Sequence, residues 1–332
     1  MGLAPGKLSS NHAQVTRLTP EQFAVVVREV ELMIGEGERD EVWRVLKMFA
    51  DGCFNFTIHD FPSKIQTAFA TLGPNRQKEY ASLVADIRGL QGEVFDVQGI
   101  GTLKFAGKDY EFLKVVNRPS PSPYAVQVPI CLVAGVHGDE PDGILAALEL
   151  ARRFARSPQL ASTYALTIYP CVSPVGYERM TRENGSGKDL NREFFRDSKE
   201  EEVAVMEREL RAHEFTGFIG GHSDYESFGI YAYATGAVLS ERLAKPALFQ
   251  ASGIIPINID PIIDGHPAQN GIINEKFPGS LGPLCEGASE PFDITIETPN
   301  LFALSKRVET QAIAFETVLH EYRAVASEAM YL

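Results

Sequence analysis

Short apolar runs alternate with longer stretches of helical spacing from about residue 93 to the C-terminus. The apolar runs are VPICLVAGV, ALTIYPCV, FTGFIGG and FDITIE, and the helical patterns are GILAALELARRFA, SKEEEVAVMERELRAHE, ERLAKPALFQASG and a last helix from about residue 303. Continuous apolar runs are typical of strands buried on both faces. Their alternation with helices predicts an α/β fold with a mostly parallel, mixed sheet flanked by helices.

The chain before residue 93 has a different pattern. Thr19-Pro20-Glu21-Gln22 predicts an N-cap followed by a proline at the first helical position, and this helix should run until Gly35. Further helices are expected over 38–50 and 75–88. The sequence therefore predicts a small helical N-terminal region over residues 1–92 and a larger domain over residues 93–332. The N-terminal region is interpreted as a packing or oligomerisation appendage, and the sequence does not predict an oligomeric state.

Charge and hydropathy exclude some classes of partner. The formal net charge of −13 over 332 residues argues against binding a nucleic-acid backbone, which requires clustered Lys and Arg. The sequence has no run of about 18 apolar residues that would span a membrane, and its first residues lack the apolar segment of a secretory signal. A cytoplasmic protein that binds neither nucleic acid nor membrane is the expectation.

Polar side chains suited to chemistry follow four of the apolar runs. They are His137 and Glu140 after VPICLVAGV, Arg179, Arg182, Asn191 and Arg192 after ALTIYPCV, His222 after FTGFIGG, and Glu297 at the end of FDITIE. Because open α/β sheets place ligands outside the carboxyl ends of their strands, we expect these groups on one rim. Two imidazoles and a carboxylate leave one position open on Zn²⁺, which is typical of catalytic sites. A further carboxylate suits a general base, and guanidinium groups suit an oxyanion or a substrate carboxylate.

Each of these residues also has a structural interpretation. His137 and Glu140 could belong to a solvated turn, His222 could be a turn histidine, and Glu297 could lie exposed where a strand ends. The DLNR segment could be a helix N-terminus with an Arg–Asp pair. Their shared position at strand ends favours a metal site.

The order of these motifs resembles that of the zinc metallocarboxypeptidases of the M14 (carboxypeptidase A-like) family. The matching segments are HGDE, SPVGY, RMTR, DLNREF, GHSD and TIETP, within residues 93–332. The resemblance implies one zinc ion bound by His137, Glu140 and His222, with Glu297 as general base. It also implies that Arg182, preferred here over Arg179, polarises the scissile carbonyl, and that Asn191 and Arg192 bind the terminal carboxylate of the substrate.

The sequence departs from the family at two places. The N-P-D-G-like turn is replaced by Ser173-Pro174-Val175-Gly176, and the substrate-binding Tyr has no counterpart between Tyr233 and Tyr322. His266, in DGHPAQNG, is a candidate to replace that Tyr in substrate binding. Asp260 and Asp264 in the same stretch could face a substrate amino group, but a solvated loop is the favoured interpretation.

The resemblance predicts a zinc-dependent metallohydrolase that cleaves a peptide or amide bond next to a free carboxylate. The family's relatives also include aspartoacylase, succinylglutamate desuccinylase and murein-peptide amidases. An N-acyl amino acid deacylase is therefore the alternative, so the expected substrate is a small peptide or an N-acyl amino acid. A non-catalytic zinc-binding module is the remaining alternative.

Overall fold

The structure is a computed structural model that describes residues 15–72, 78–118, 128–162, 164–236, 239–283 and 291–329. Contacts divide the chain into a smaller unit, Met1–Asn75 with Leu301–Ala303, and a larger unit, Arg76–Asn300 with Leu304–Leu332. The larger unit thus begins ahead of residue 93, where the sequence pattern changes.

The smaller unit contains three α-helices among its described residues: α1 (Pro20–Glu36), α2 (Arg39–Ala50) and α3 (Ser63–Thr71). Thr19 and Gln22 form the predicted capping box, and Gly37 ends α1 in the left-handed conformation, with φ of 78°. The first two helices lie within two residues of their predicted bounds. Helix α3 was not predicted, because its nine residues bury only Ile65 and its apolar periodicity is weak.

An eight-stranded mixed sheet forms the centre of the larger unit, in the order β1-β2-β4-β3-β5-β10-β6-β9. Its strands are β1 (Phe95–Phe105), β2 (Lys108–Asn117), β3 (Val128–Ala134), β4 (Tyr164–Tyr169), β5 (Gly217–Asp224), β6 (Tyr231–Gly236), β9 (Ile272–Ile273) and β10 (Phe292–Pro299). The central strands β4, β3, β5 and β10 are parallel to one another, and antiparallel pairing begins outside them. The predicted mostly parallel, mixed sheet is confirmed.

Helices cover both faces of this sheet. They are α4 (Tyr80–Arg88), α5 (Pro141–Arg156), α6 (Pro158–Ala161), α7 (Pro174–Arg179), α8 (Glu201–Ala212), α9 (Leu239–Ala251) and α10 (Leu304–Ala329). One face of the central strands packs its apolar side chains, including Val133 and Phe218, against Met206 and Leu210 of α8. Helices α5 and α10 cover the opposite face, where Gly143 and Gly221 lie close to Gln311 of α10. A two-stranded ribbon, β7 (Ile262–Ile263) and β8 (His266–Pro267), stands apart from the main sheet.

The predicted helix over 75–88 corresponds to α4, which begins at Tyr80 and belongs to the larger unit. The Tyr80 hydroxyl donates a hydrogen bond of 2.6 Å to the Glu111 carbonyl on β2.

Within the described part of the chain, no helix is long and apolar enough to span a bilayer. The cytoplasmic location remains a prediction.

Candidate metal and catalytic site

Three buried side chains meet at the carboxyl ends of β3 and β5. His137 follows β3, Glu140 immediately precedes α5, and His222 lies near the end of β5. Nδ1 of His137 lies 2.7 Å from one carboxylate oxygen of Glu140, and Nδ1 of His222 lies 2.9 Å from the other. The two Nδ1 atoms are 3.2 Å apart. One ligand atom from each residue therefore lies within 4.8 Å of the others, a group that can hold a metal ion.

Hydrogen bonding around His137 and Glu140 fits a bound cation. Nε2 of His137 lies 3.0 Å from Asp189 Oδ1, so in the neutral ring Nε2–H donates and the Nδ1 lone pair faces Glu140 and His222. Metal-bound histidines commonly donate their second ring N–H to a carboxylate in this way. Although burial alone would raise it, the two imidazoles lower the pKa of Glu140, which keeps the carboxylate ionised. The donor set fits a metal ion and leaves room for further ligands.

Glu297 lies on β10, directly beside His222 of β5. It pairs in register with His222 on one side and with Tyr231 of β6 on the other, so the three side chains share one face of the sheet. Burial, together with the nearby carboxylates of Glu140 and Asp224, raises the pKa of Glu297 well above its ordinary value. A carboxylate with a raised pKa is a stronger proton acceptor once it is ionised.

Arg182 is the arginine that reaches the ligand group. Its Nη1 lies 3.3 Å from His137 Nδ1 and 3.4 Å from Glu140, and its Nη2 lies 3.1 Å from Asp189. Arg179 instead places its guanidinium 4.7 Å from the centre of the Phe105 ring. The two arginines of RMTR therefore occupy different surroundings.

Asn191 and Arg192 lie in a short 3-10 helix, Leu190–Arg192, and the side chain of Asp189 caps it by accepting a hydrogen bond of 2.9 Å from the backbone N–H of Asn191. Asn191 Oδ1 accepts a hydrogen bond of 2.8 Å from the backbone N–H of Leu281. The Arg192 guanidinium stacks 4.5 Å from the centre of the Phe277 ring, and its Nη1 donates to the Asn191 carbonyl. These contacts join the DLNR segment to the loop over 277–281.

His266 packs against side chains of β6 and of the segment that contains Glu275 and Phe277. Its Nδ1 lies 2.6 Å from Glu275, and its ring centre lies 4.7 Å from that of Phe277 and 6.3 Å from that of Tyr233. Tyr233 donates a hydrogen bond of 2.5 Å to Asp264. Asp260 and Asp264 are both exposed. The structure thus places His266 among Glu275, Phe277 and Tyr233, outside the group formed by His137, Glu140 and His222.

Gly138, the glycine of HGDE, has a packing role that the sequence pattern does not reveal. A Cβ at Gly138 would lie 1.8 Å from the carbonyl carbon of Gly176, and the Gly138 N–H donates to the Thr181 carbonyl at 3.0 Å. Only a glycine permits this approach, because any side chain would overlap the backbone of α7. The close packing of Gly138 on Gly176, at the start of α7, therefore holds the ligand segment next to the Arg182 segment. Both glycines were visible in the sequence, but their proximity was not.

Part of the chain matches a family of hydrolases. Residues 127–228 match the family described as the succinylglutamate desuccinylase/aspartoacylase catalytic domain. That segment contains the predicted ligands His137, Glu140 and His222 and ends before Glu297. No protein of curated function matches the chain significantly.

Solved structures similar to the chain share its fold. A Shewanella baltica protein assigned as a metallopeptidase has a TM-score of 0.58 at 22% identity, covering 73% of this chain and 90% of its own. A metallo-carboxypeptidase from Burkholderia cenocepacia has a TM-score of 0.56 at 14% identity, covering 75% and 70%. One from Pseudomonas aeruginosa, in complex with (2-guanidinoethylmercapto)succinic acid, has a TM-score of 0.52 at 19% identity, covering 72% and 67%. The predicted resemblance is confirmed by the family match over residues 127–228, and these solved structures confirm the carboxypeptidase-like fold.

Proposed function

We propose that this protein is a zinc-dependent hydrolase that cleaves a peptide or amide bond next to a free carboxylate. The observation that carries the proposal is the convergence of His137, Glu140 and His222 within 4.8 Å at the carboxyl edge of the sheet. Two imidazoles and one carboxylate are a ligand set of catalytic zinc sites. When bound there, zinc would supply Lewis acidity that activates water near neutral pH and polarises a carbonyl oxygen.

Glu297 is proposed as the general base. Its raised pKa and its position beside His222 suit it to take a proton from the attacking water. The same carboxyl group would then deliver that proton to the nitrogen of the leaving amine. Arg182 would donate hydrogen bonds to the oxyanion that develops on the scissile carbonyl oxygen.

Arg192 and Asn191 are proposed to hold the substrate carboxylate. The Arg192 guanidinium is oriented by stacking on Phe277, and a guanidinium can bind a carboxylate through two parallel hydrogen bonds. Because the Asn191 oxygen is occupied by Leu281, its amide N–H groups are the part of the side chain that can serve a carboxylate. His266, which packs against Tyr233 and Phe277, is proposed as a secondary contact with the substrate.

An N-acyl amino acid deacylase is the second candidate, because the matched segment carries the description of desuccinylases and aspartoacylases. Both candidate functions require a metal, a base and a group that binds the substrate carboxylate. They differ only in the acyl group of the substrate, which is a peptide in the first case and an acetyl or succinyl group in the second. Turnover of C-terminal dipeptides compared with N-acetyl and N-succinyl amino acids separates them. We further propose that the chemistry is confined to residues 93–332.

The decisive variant is Glu297→Gln. We expect stoichiometric zinc in both wild type and variant, and a loss of turnover of about 100- to 10,000-fold, the usual contribution of a general base. Glu111→Gln, at a surface acid paired with Arg88, is the matched control and should retain wild-type turnover. Retained activity in Glu297→Gln would contradict the mechanism. Wild-type protein that binds no zinc would contradict the proposed function.

A further inference from the structure

A buried carboxylate lies behind the ligand group, on the opposite face of the sheet. Asp142, in the first turn of α5, has no solvent-accessible surface. Its Oδ1 accepts a hydrogen bond of 2.5 Å from the Ser223 hydroxyl and lies 3.3 Å from Nη1 of Arg307. Its Oδ2 accepts from the Thr298 hydroxyl at 2.5 Å and from Gln311 Nε2 at 3.2 Å. We call these five residues the Asp142 hub.

Two hub residues directly follow, along the chain, a residue of the proposed metal or catalytic site. Ser223 follows His222 on β5, and Thr298 follows Glu297 on β10. Because successive side chains of a strand point to opposite faces, fixing Ser223 and Thr298 on the helix-covered face fixes the side chains of His222 and Glu297 on the other. Asp142 itself lies two residues after Glu140, where α5 begins.

Three hub residues also contact the ligand residues directly, and the longest of these contacts is 3.4 Å, from the Thr298 hydroxyl to the carbonyl oxygen of His222. The backbone N–H of Ser223 donates to Glu140 Oε2 at 3.1 Å while its hydroxyl donates to Asp142. Gln311 Nε2 donates to the carbonyl oxygen of His222 at 2.7 Å. The hub therefore touches both Glu140 and the backbone of His222.

Burying a carboxylate is unfavourable unless a cation and hydrogen bonds compensate it. Asp142 has both, since Arg307 is fully buried as well and also donates to Asn300. Removing one member of this network would leave the remaining charge buried without its partner, so the network resists rearrangement.

We propose that Asp142 is a positioning residue, which aligns His222 and Glu140 for metal binding and Glu297 for proton transfer. The proposal rests on the proposed function, because it concerns the same metal site. The hub does not contact the substrate and acts only through the residues it orients.

The test is Asp142→Asn, which preserves side-chain shape and removes the charge. Zinc affinity would be measured by chelator competition, the ligand field by the visible absorption of the Co²⁺-substituted protein, and the unfolding midpoint on metal-free protein. We expect zinc affinity to fall about 10- to 100-fold, the usual effect of losing a residue that orients metal ligands. The Co²⁺ spectrum should change as well.

Glu209→Gln is the matched control for loss of stability alone. Glu209 forms a buried ion pair of 2.7 Å with Lys114, between α8 and β2. Its replacement also breaks a buried pair by an isosteric change, so the unfolding midpoint should fall. Zinc affinity and the Co²⁺ spectrum should remain those of the wild type.

Two milder variants separate the branches of the hub and carry the test if Asp142→Asn does not fold. Ser223→Ala should weaken zinc binding, because Ser223 contacts Glu140 and adjoins His222. Thr298→Val should lower kcat with little change in zinc affinity, because Thr298 adjoins the base Glu297.

The outcomes distinguish the two proposals. If wild type binds no zinc, the proposed function fails and the positioning role fails with it. If wild type binds zinc, and the hub variants keep wild-type affinity, Co²⁺ spectrum and kcat, only the positioning role is overturned. A Glu209→Gln variant that loses zinc affinity as strongly as Asp142→Asn would also overturn it, because loss of stability would then suffice.

Discussion

The two faces of β5 and β10 bury polar groups under opposite conditions. On one face, His222 and Glu297 adjoin other acids, and burial raises the pKa of Glu297 and brings that of Asp224 to about 6. On the other face, one residue further along each strand, Ser223 and Thr298 donate to Asp142, whose charge is compensated by Arg307. On each strand, one residue thus faces the proposed reaction site and the next residue faces the Asp142 hub.

This difference indicates how a sheet edge can carry reactive groups. Charged groups arranged for chemistry cost stability, because their mutual repulsion and burial are only partly compensated. On the opposite face, the charge-compensated Asp142 hub binds the same two strand ends through Ser223 and Thr298. Changes on the ligand face should therefore lower activity while preserving or raising stability, whereas changes in the hub should lower both metal affinity and stability.

The largest expected effect on the ligand face, beyond loss of the base, is that of Arg182→Lys. Lysine lacks the planar donor geometry, so stabilisation of the oxyanion should be lost and kcat should fall about 100- to 1,000-fold. Zinc content should stay stoichiometric. Arg179→Lys is the matched control, since Arg179 stacks on Phe105, and steady-state kinetics of both variants check the prediction. Equal losses in the two variants would contradict the role given to Arg182.

A smaller effect is expected for Arg192→Lys. The substitution removes the paired hydrogen bonds to a substrate carboxylate, which contribute to substrate binding before and during reaction. KM should therefore rise about 10-fold, with kcat less affected. Arg196→Lys, at an exposed arginine four residues further on, should leave both constants unchanged. An unchanged KM in Arg192→Lys would show that the carboxylate is bound elsewhere.

The smallest effect is on stability and depends on pH. In metal-free protein the folded-state pKa of Glu297 lies above its ordinary value of 4.5, so the folded state binds the proton more tightly than the unfolded state. The contribution of Glu297 to wild-type stability should then fall as pH rises above 4.5. Glu297→Gln should be more stable than wild type at neutral pH, by about 1 kcal/mol, the common size of a single substitution.

That advantage should vanish below about pH 4, where a carboxyl of ordinary pKa is also protonated in the unfolded state. Thermal unfolding of the two metal-free proteins across this range checks the sign. A difference that grows as pH falls would contradict the raised pKa.

Strong apolar patterns predicted the central architecture. Strands buried on both faces, such as β3 and β5, are continuous apolar runs, and helices such as α5 have clear periodicity. Strands β6 and β9 were not predicted, because β6 alternates tyrosine with alanine and β9 has only two residues. Packing against β10 and β6, rather than local pattern, makes them strands.

The order of motifs along the chain predicted the candidate site residues. It did not predict the residues that hydrogen-bond to them or hold their strands. Asp189 was visible in DLNR, yet only the fold shows that it faces Nε2 of His137. Asp142 was visible in the HGDEPDG segment, where an acid in a first helical turn is ordinary. Its partners Thr298 and Gln311 lie 156 and 169 residues away in sequence, which no local pattern reports.

The wide separation of the ligands along the chain also makes the metal a reporter of folding. Glu140 and His222 are 82 residues apart, so an unfolded chain cannot present both to one ion without closing a long loop. A metal that binds only the folded state stabilises it by mass action, by about 1.4 kcal/mol for each tenfold excess over the dissociation constant. The unfolding midpoint should thus track free zinc concentration, and its slope would count the ions bound.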